Sequence, residues 1–288
     1  MKEYRYRFRD LSDQIRGERL TLRETQMVLL EMMKSLHDFC EEHHIRYTLS
    51  DGSLLGAIRH KGFIPWDDDM DVYMPRPDYD RFIKYSQISD RYKIVTHKND
   101  HGYFHAYAYG VITDTETVMI ENDTRFKTGK GQFLDIFPID GVSEDLSKRK
   151  KQYFSLKILS YIKGLLSTDY KTIKINSLKN LIRYFCSIAF TPINEFYLVR
   201  KQDEIARSCK YEESEHFTQL LVGNDREKIL LDKDFFDDMI LVPFEKYKFY
   251  ITKQWDKTLK MEYGDYMKFP PIEEQTGKHY IDLYYRKK

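Results

Sequence analysis

Cysteine is scarce. Cys40, Cys186 and Cys209 are the only three in 288 residues, and they lie far apart. That excludes a disulfide framework and paired-cysteine metal knuckles, suits a reducing cytoplasm, and leads us to expect no structural zinc. No uncharged apolar run approaches the roughly 18 residues needed to cross a bilayer. Neither charge dominates: 47 Lys and Arg face 46 Asp and Glu, for a net charge of +1. Global charge therefore gives no reason to expect nucleic acid as a partner. The opening MKEYRYRFRD is charged throughout and does not read as a signal peptide. Internal repeats and low-complexity tracts are missing as well. What remains is a cytoplasmic chain, peripheral at most on the inner face of a membrane, and long enough to bury a sizeable core. Aromatics are abundant at 15%, with 23 tyrosines. They serve either packing or an aromatic-lined pocket.

The pattern along the chain divides it into four parts. Residues 1–20 are a mixed, charged arm. Residues 21–145 alternate helix and strand. Apolar residues at helical spacing predict a helix over Leu22–His44, and further helices are expected after Ser50 and over Pro77–Ile88. Strands are predicted over Arg46–Leu49, Met70–Met74, Tyr92–Thr96, Tyr103–Ile112, Thr117–Ile120 and Gln132–Phe137. This is an α/β (α+β) pattern, a mixed sheet with flanking helices. Residues 146–215 read as an inserted basic helical lobe. Ten basic residues fall between Leu146 and Arg183, opposed only by Asp169, with apolar residues between them. Such a lobe either presents a solvated face or sits on an anionic membrane surface. A helix is predicted from Glu195 to Lys210. Residues 216–288 pack back on the core, with a helix over Phe244–Tyr263 ended by Gly264.

The chemistry concentrates in one stretch. Asp67-Asp68-Asp69-Met70-Asp71 places four carboxylates in five positions. Carboxylates so close repel one another, and a divalent cation is the usual means of holding them. Oxygen ligands favour Mg²⁺, with Mn²⁺ able to substitute. On a strand Asp69 and Asp71 share a face while Met70 turns into the core. Asp67 and Asp68 precede the strand and read as solvated or capping residues. Asp135 sits inside the apolar run Phe133-Leu134-Asp135-Ile136-Phe137, where a lone carboxylate would be costly. Either an arginine or a backbone cap pairs it, or its strand lies beside that of Asp69 and Asp71 and it completes a metal site or serves as base. Asp140, after Pro138, reads as a turn residue. Gly52-Ser53 begins a helix and could hold a phosphate. Arg59, His60 and Lys61 either supply positive charge to a leaving phosphate or form an exposed loop. His97, His101 and His105 recur every fourth residue, but on loop and strand that spacing makes no metal site. Together these residues suggest a metal-dependent enzyme acting on a phosphate ester.

The run from Asp51 to Asp71, DGSLLGAIRHKGFIPWDDDMD, closely resembles the signature of the LicD family. Phe133–Asp140, Tyr263-Gly264-Asp265-Tyr266-Met267 and Pro270-Pro271 extend the resemblance from about residue 22 to 281, most weakly over 141–240. That family includes bacterial phosphorylcholine transferases and fukutin-related protein, within the DNA polymerase beta-like nucleotidyltransferase superfamily. The resemblance implies a nucleotidyltransferase-like core. Gly52 and Ser53 match the phosphate-binding turn, with Arg59 and Lys61 nearby. Asp69, Asp71 and Asp135 match the catalytic metal carboxylates. It also implies transfer of phosphocholine from CDP-choline to a hydroxyl of a glycan precursor, lipid-linked or not, in teichoic acid, lipopolysaccharide or capsule. Siblings move ribitol phosphate or glycerol phosphate from other CDP-alcohols. A non-catalytic scaffold that kept the fold is the remaining reading. For choline itself, Trp66, Tyr73, Tyr103, Tyr107 and Tyr109 are the aromatic candidates.

Overall fold

Helix α1 (Leu22–His43) begins where Thr21 and Glu24 cap each other: the Glu24 amide donates to Thr21 Oγ1 and the Thr21 amide to Glu24 Oε2. Its apolar stripe, including Leu29, Leu30, Met33 and Leu36, is fully buried. The structure, a computed structural model, describes residues 11–99, 107–121, 129–168, 170, 177–222, 229–277 and 281–287. Ahead of α1 lies the short strand β1 (Ile15–Arg16). After α1 come β2 (Thr48–Leu49), α2 (Asp51–Arg59), β3 (Asp71–Pro75), α3 (Arg76–Phe82), β4 (Tyr92–Val95), β5 (Gly110–Asp114), β6 (Thr117–Glu121) and β7 (Phe133–Val142). Three helices follow: α4 (Leu146–Ser167), α5 (Leu178–Phe190) and α6 (Glu195–Ala206). The chain then forms β8 (His216–Thr218), β9 (Leu231–Asp232), β10 (Met239–Phe244), β11 (Tyr247–Thr252), α7 (Trp255–Tyr263) and β12 (Ile281–Arg286).

The fold is α/β with a mixed central sheet. Its strands run in the order β2-β3-β7-β5-β4, and β8, followed by β9, adds to the far end of β7. Among its described strands only β3 and β7 pair in parallel. One face of the sheet is covered by α1, α2, α7 and the β10–β11 hairpin around Leu36, Val72, Ile136, Phe249 and Leu259. The other face buries Tyr73, Tyr109, Phe137 and Ile139 against Leu156 of α4 and Val199 of α6. A separate three-stranded sheet, β1-β12-β6, joins residues near the two termini, with Leu20 and Leu283 buried beneath it.

Two sequence expectations are corrected. The stretch expected as one helix over Phe244–Tyr263 is a hairpin followed by a shorter helix. Glu245 and Lys246 make its turn, with Glu245 at φ 52°, and Phe249 and Ile251 alternate into the core. Aromatic and β-branched residues at every second position favour the strand. Gly264, at φ 67°, still ends the helix. The second correction is Asp140, which is no turn residue. Strand β7 runs on through Pro138 to Val142, and Asp140 is buried within it. Pro138 is tolerated because it falls between neighbours on one edge: β5 reaches Ile136 and β8 begins at Asp140, so no ladder bond from its nitrogen is needed. Tyr103, His101 and His105, the start of the strand expected at Tyr103, and Lys171 and Lys174 lie outside the described residues.

Candidate active site

The parallel pairing of β3 and β7 sets Asp71 directly opposite Asp135. The Asp135 amide donates to the Met70 carbonyl at 3.1 Å, which extends the ladder back toward Asp69. Met70 itself is turned into the core. The start of α2 is bonded to the same strand from both sides. The Ser50 amide donates to the Asp71 carbonyl at 3.1 Å, and the Asp71 amide donates to Ser53 Oγ at 3.0 Å. The Gly-Ser turn and the first carboxylate of β3 are therefore one rigid unit.

The acidic loop folds back over that unit. A Cβ at Gly52 would stand 2.7 Å from Asp67 Oδ2, so the Asp67 carboxylate rests against the bare α-carbon of residue 52. Gln26 Nε2 donates to the Asp67 carbonyl at 2.9 Å, and Gln132 Nε2 to the Asp68 carbonyl at 3.1 Å. Carboxylate oxygens of Asp67, Asp68 and Asp69 come within 4.8 Å of one another. Asp51, buried and held at φ 48°, is close enough to act on Asp71 as well. Sequence reasoning gave no role to Asp51; its left-handed backbone ahead of Gly52 was not visible in the residue pattern.

Asp71 records the combined field of this cluster. Burial pushes its carboxyl well above the usual range, and Asp69, Asp51, Asp135 and Asp67, in that order, push it further. Every large influence on it disfavours negative charge. An all-oxygen, all-acidic donor set of this kind fits a hard divalent cation, which would take up the excess charge. Asp67, Asp68 and Asp69 are the described carboxylates whose oxygens lie close enough together to share one cation, and Asp71 and Asp135, paired across β3 and β7, belong to the same electrostatic group.

Two of the sequence candidates stand apart from this group. Arg59 ends α2, about 9 Å along the axis from Ser53 at 1.5 Å per residue. Its Nη1 donates to the Tyr266 carbonyl at 2.9 Å and its guanidinium lies 4.7 Å from the Phe269 ring centre. Lys61 is exposed at φ 56° just beyond. Here the helix end is joined to the C-terminal segment.

Aromatic rings line the sheet face next to the carboxylates. Tyr107 and Tyr109 stack at 5.1 Å, Tyr109 meets Phe137 edge-on at 4.7 Å, and Tyr73 lies 6.3 Å from Phe137. Burial, then Asp135, raises the Tyr109 phenol well above its usual range, which places it beside the acidic group. The Lys163 ammonium of α4 lies 4.6 Å from the Tyr107 ring centre, and burial lowers it to about 8. Trp66 instead packs with the opposite core, near His60. A cleft of about 260 Å³ opens beside Asp68 and Gln132, bounded by Arg19, Leu22 and Leu283.

Comparison with known proteins bears on this arrangement. A family model described as LicD/FKTN/FKRP, nucleotidyltransferase domain, matches residues 44–176, a span that includes every carboxylate above. Over 284 residues the chain is 31% identical to the lipopolysaccharide cholinephosphotransferase LicD of Haemophilus influenzae, covering 93% of this chain and 99% of that protein. An uncharacterised protein of Rickettsia typhi is 32% identical over 100 residues, 34% of this chain and 31% of its own length. With likeness running nearly end to end, the chain belongs to the LicD family.

Proposed function

We propose that the protein is a Mg²⁺-dependent transferase that moves phosphocholine from CDP-choline to a hydroxyl of a lipopolysaccharide or related cell-surface glycan precursor. The observation that carries this reading is the register of Asp71 against Asp135, with Asp69 one step ahead and the Ser53 hydroxyl bonded to the same strand. It is supported by the likeness to a lipopolysaccharide cholinephosphotransferase over almost the whole chain. In the reaction the acceptor oxygen bonds to the phosphorus that carries choline. The bond from that phosphorus to the oxygen bridging to CMP breaks, CMP leaves with the electron pair, and the hydroxyl proton passes to a base. A divalent cation supplies charge neutralisation on the phosphate oxygens. Asp69 and Asp71 hold the cation. Asp135 is the third ligand or the base. Gly52 and Ser53 offer backbone and hydroxyl donors to a phosphate at the start of α2. Tyr73, Tyr107 and Tyr109 offer ring faces to the trimethylammonium group. Trp66, on the other core, does not share that position.

The test is CMP release by purified protein from CDP-choline, CDP-ribitol and CDP-glycerol, each with crude lipid-linked glycan, with and without Mg²⁺. We expect release from CDP-choline that needs Mg²⁺ and is lost in Asp71→Ala. Release from CDP-ribitol or CDP-glycerol alone would keep the carboxylates' role and replace the donor. Donor binding without release from any of them, in every acceptor preparation, would favour a non-catalytic scaffold.

A further inference from the structure

Helix α5 is turned the wrong way for a protein surrounded by water. Its apolar residues Leu178, Leu181, Ile182, Phe185 and Ile188 fall on one face at helical spacing, and all five are exposed, Leu178 by 74% and Phe185 by 60%. Asn180, Arg183, Tyr184, Cys186, Ser187 and Phe190 are the half-buried residues of the helix, most of them polar. A surface helix ordinarily turns its apolar stripe toward the core. The neighbouring helix α4, which packs against α5, carries an exposed stripe of Lys150, Phe154, Lys157, Ile158 and Tyr161, with Phe154 65% exposed.

Charge distinguishes the occupants that could cover these faces. Five lysines of these helices, Lys148, Lys150, Lys151, Lys157 and Lys179, are exposed, and neither helix holds an acidic residue. A second copy of the chain docking symmetrically would bring like charges together. An anionic bilayer surface would complement them: lysine stems lie along the apolar boundary and their ammonium groups reach the headgroups, while Phe, Ile and Leu enter the acyl edge. None of the described helices is long and apolar enough to cross a membrane, so the contact lies in the plane of the interface. We propose that the outward faces of α4 and α5 dock the protein on an anionic lipid bilayer. The docking is independent of which phospho-alcohol is transferred, and concerns a surface separate from the carboxylates.

Co-sedimentation with vesicles tests this. The full chain is mixed with phosphatidylcholine vesicles, with and without phosphatidylglycerol. We expect binding to the anionic vesicles that weakens with salt, and little to phosphatidylcholine alone. Ile182→Glu/Phe185→Glu should reduce it by at least roughly tenfold, and Lys150→Glu/Lys157→Glu should reduce it and flatten its salt dependence. These positions are exposed, so thermal midpoint and soluble-substrate turnover should stay unchanged. Absence of binding to anionic vesicles, or undiminished binding by Ile182→Glu/Phe185→Glu, would overturn the proposal. So would a dimer in sedimentation velocity that dissociates in that variant while vesicles are ignored.

Discussion

Asp140 and Asp71 are both buried carboxylates on the β3–β7 pair, at opposite ends of it. Asp140 receives a two-pronged bond from Arg76, at 2.6 and 2.5 Å, and Arg76 also reaches Asp203 at 3.2 Å. Arg207 continues the chain, pairing with Asp203 at 2.9 Å and with both oxygens of Asp80. Burial works against the Asp80 carboxylate, but Arg207 outweighs it and holds Asp80 below its usual range. At the other end, the groups that act most on Asp71 are four more carboxylates. With Lys98, 3.8 Å from Asp203, the first cluster sets three cations against three carboxylates, and it ties α3 and β7 to α6. The second gathers like charges, which the proposed cation would neutralise. Burial is the same; the company differs, and that separates a structural ion network from a reactive site.

The difference is broken most severely at Asp71. On the proposed mechanism Asp71→Ala should lower CMP release by roughly 10³-fold or more, because Asp71 is one of the two carboxylates proposed to hold the cation. In a chelating buffer, Asp71→Asn should raise the thermal midpoint, where an ordinary point substitution costs roughly 1 kcal/mol. Near-normal turnover of Asp71→Ala in excess Mg²⁺ would sink the metal assignment. A lower midpoint for Asp71→Asn in chelator would show that repulsion is not what dominates there.

At the paired end the sign reverses. Arg76→Met leaves Asp140 and Asp203 buried without their shared partner, and should cost about 3–5 kcal/mol in urea unfolding. Adding Asp140→Leu should recover much of that loss, since replacing a whole buried pair with apolar groups is often close to neutral. A mild effect of Arg76→Met alone would mean that this network is far more hydrated than its burial suggests.

The two ends were not equally legible in the sequence. Asp69 and Asp71 stood out because four carboxylates crowd five positions, and Asp135 because it sits inside an apolar run, and the sheet does place Asp135 beside Asp71. Asp140 did not stand out. Pro138 suggested a turn, and only the staggered ends of β5 and β8 explain why the strand survives it. Arg76, the partner of Asp140, lies 64 residues away, and Asp203, which shares that arginine, 63 residues away, beyond any local pattern. The β10–β11 hairpin was misread for a related reason. Its aromatic residues suit either period, and its turn holds no glycine; Glu245 takes the left-handed conformation instead. Arg59, a candidate for phosphate in the sequence, ends α2 about 9 Å along the axis from Ser53 and bonds the Tyr266 carbonyl, a contact no local pattern announced.

A smaller effect separates the ends by pH. His97 lies near Asp203, Lys98, Arg200 and Arg207; burial lowers its imidazole to about 4, and the neighbouring cations lower it while Asp203 opposes. The folded protein therefore holds it neutral where the unfolded chain, near 6.5, takes up a proton. Its contribution is complete above pH 6.5 and is lost as pH falls from there through about 4. The loss should be about 1–2 kcal/mol, discounted for partial exposure of the ring. His97→Gln should flatten that part of the urea midpoint between pH 7.5 and pH 5. An unchanged slope would place the acid sensitivity elsewhere.

The smallest expected change is at Gly52. Its backbone is not in the left-handed region, so alanine costs no strain there, but the new Cβ would displace the Asp67 carboxylate from its 2.7 Å approach. The displaced group is the end of a flexible side chain, so stability should move by less than about 1 kcal/mol. If Asp67 helps to hold the cation, Gly52→Ala should raise the Mg²⁺ concentration for half-maximal CMP release severalfold while saturating turnover changes little. An unchanged Mg²⁺ requirement, with the fold intact, would restrict the cation to Asp69, Asp71 and Asp135 and make Asp67 a packing neighbour of the turn.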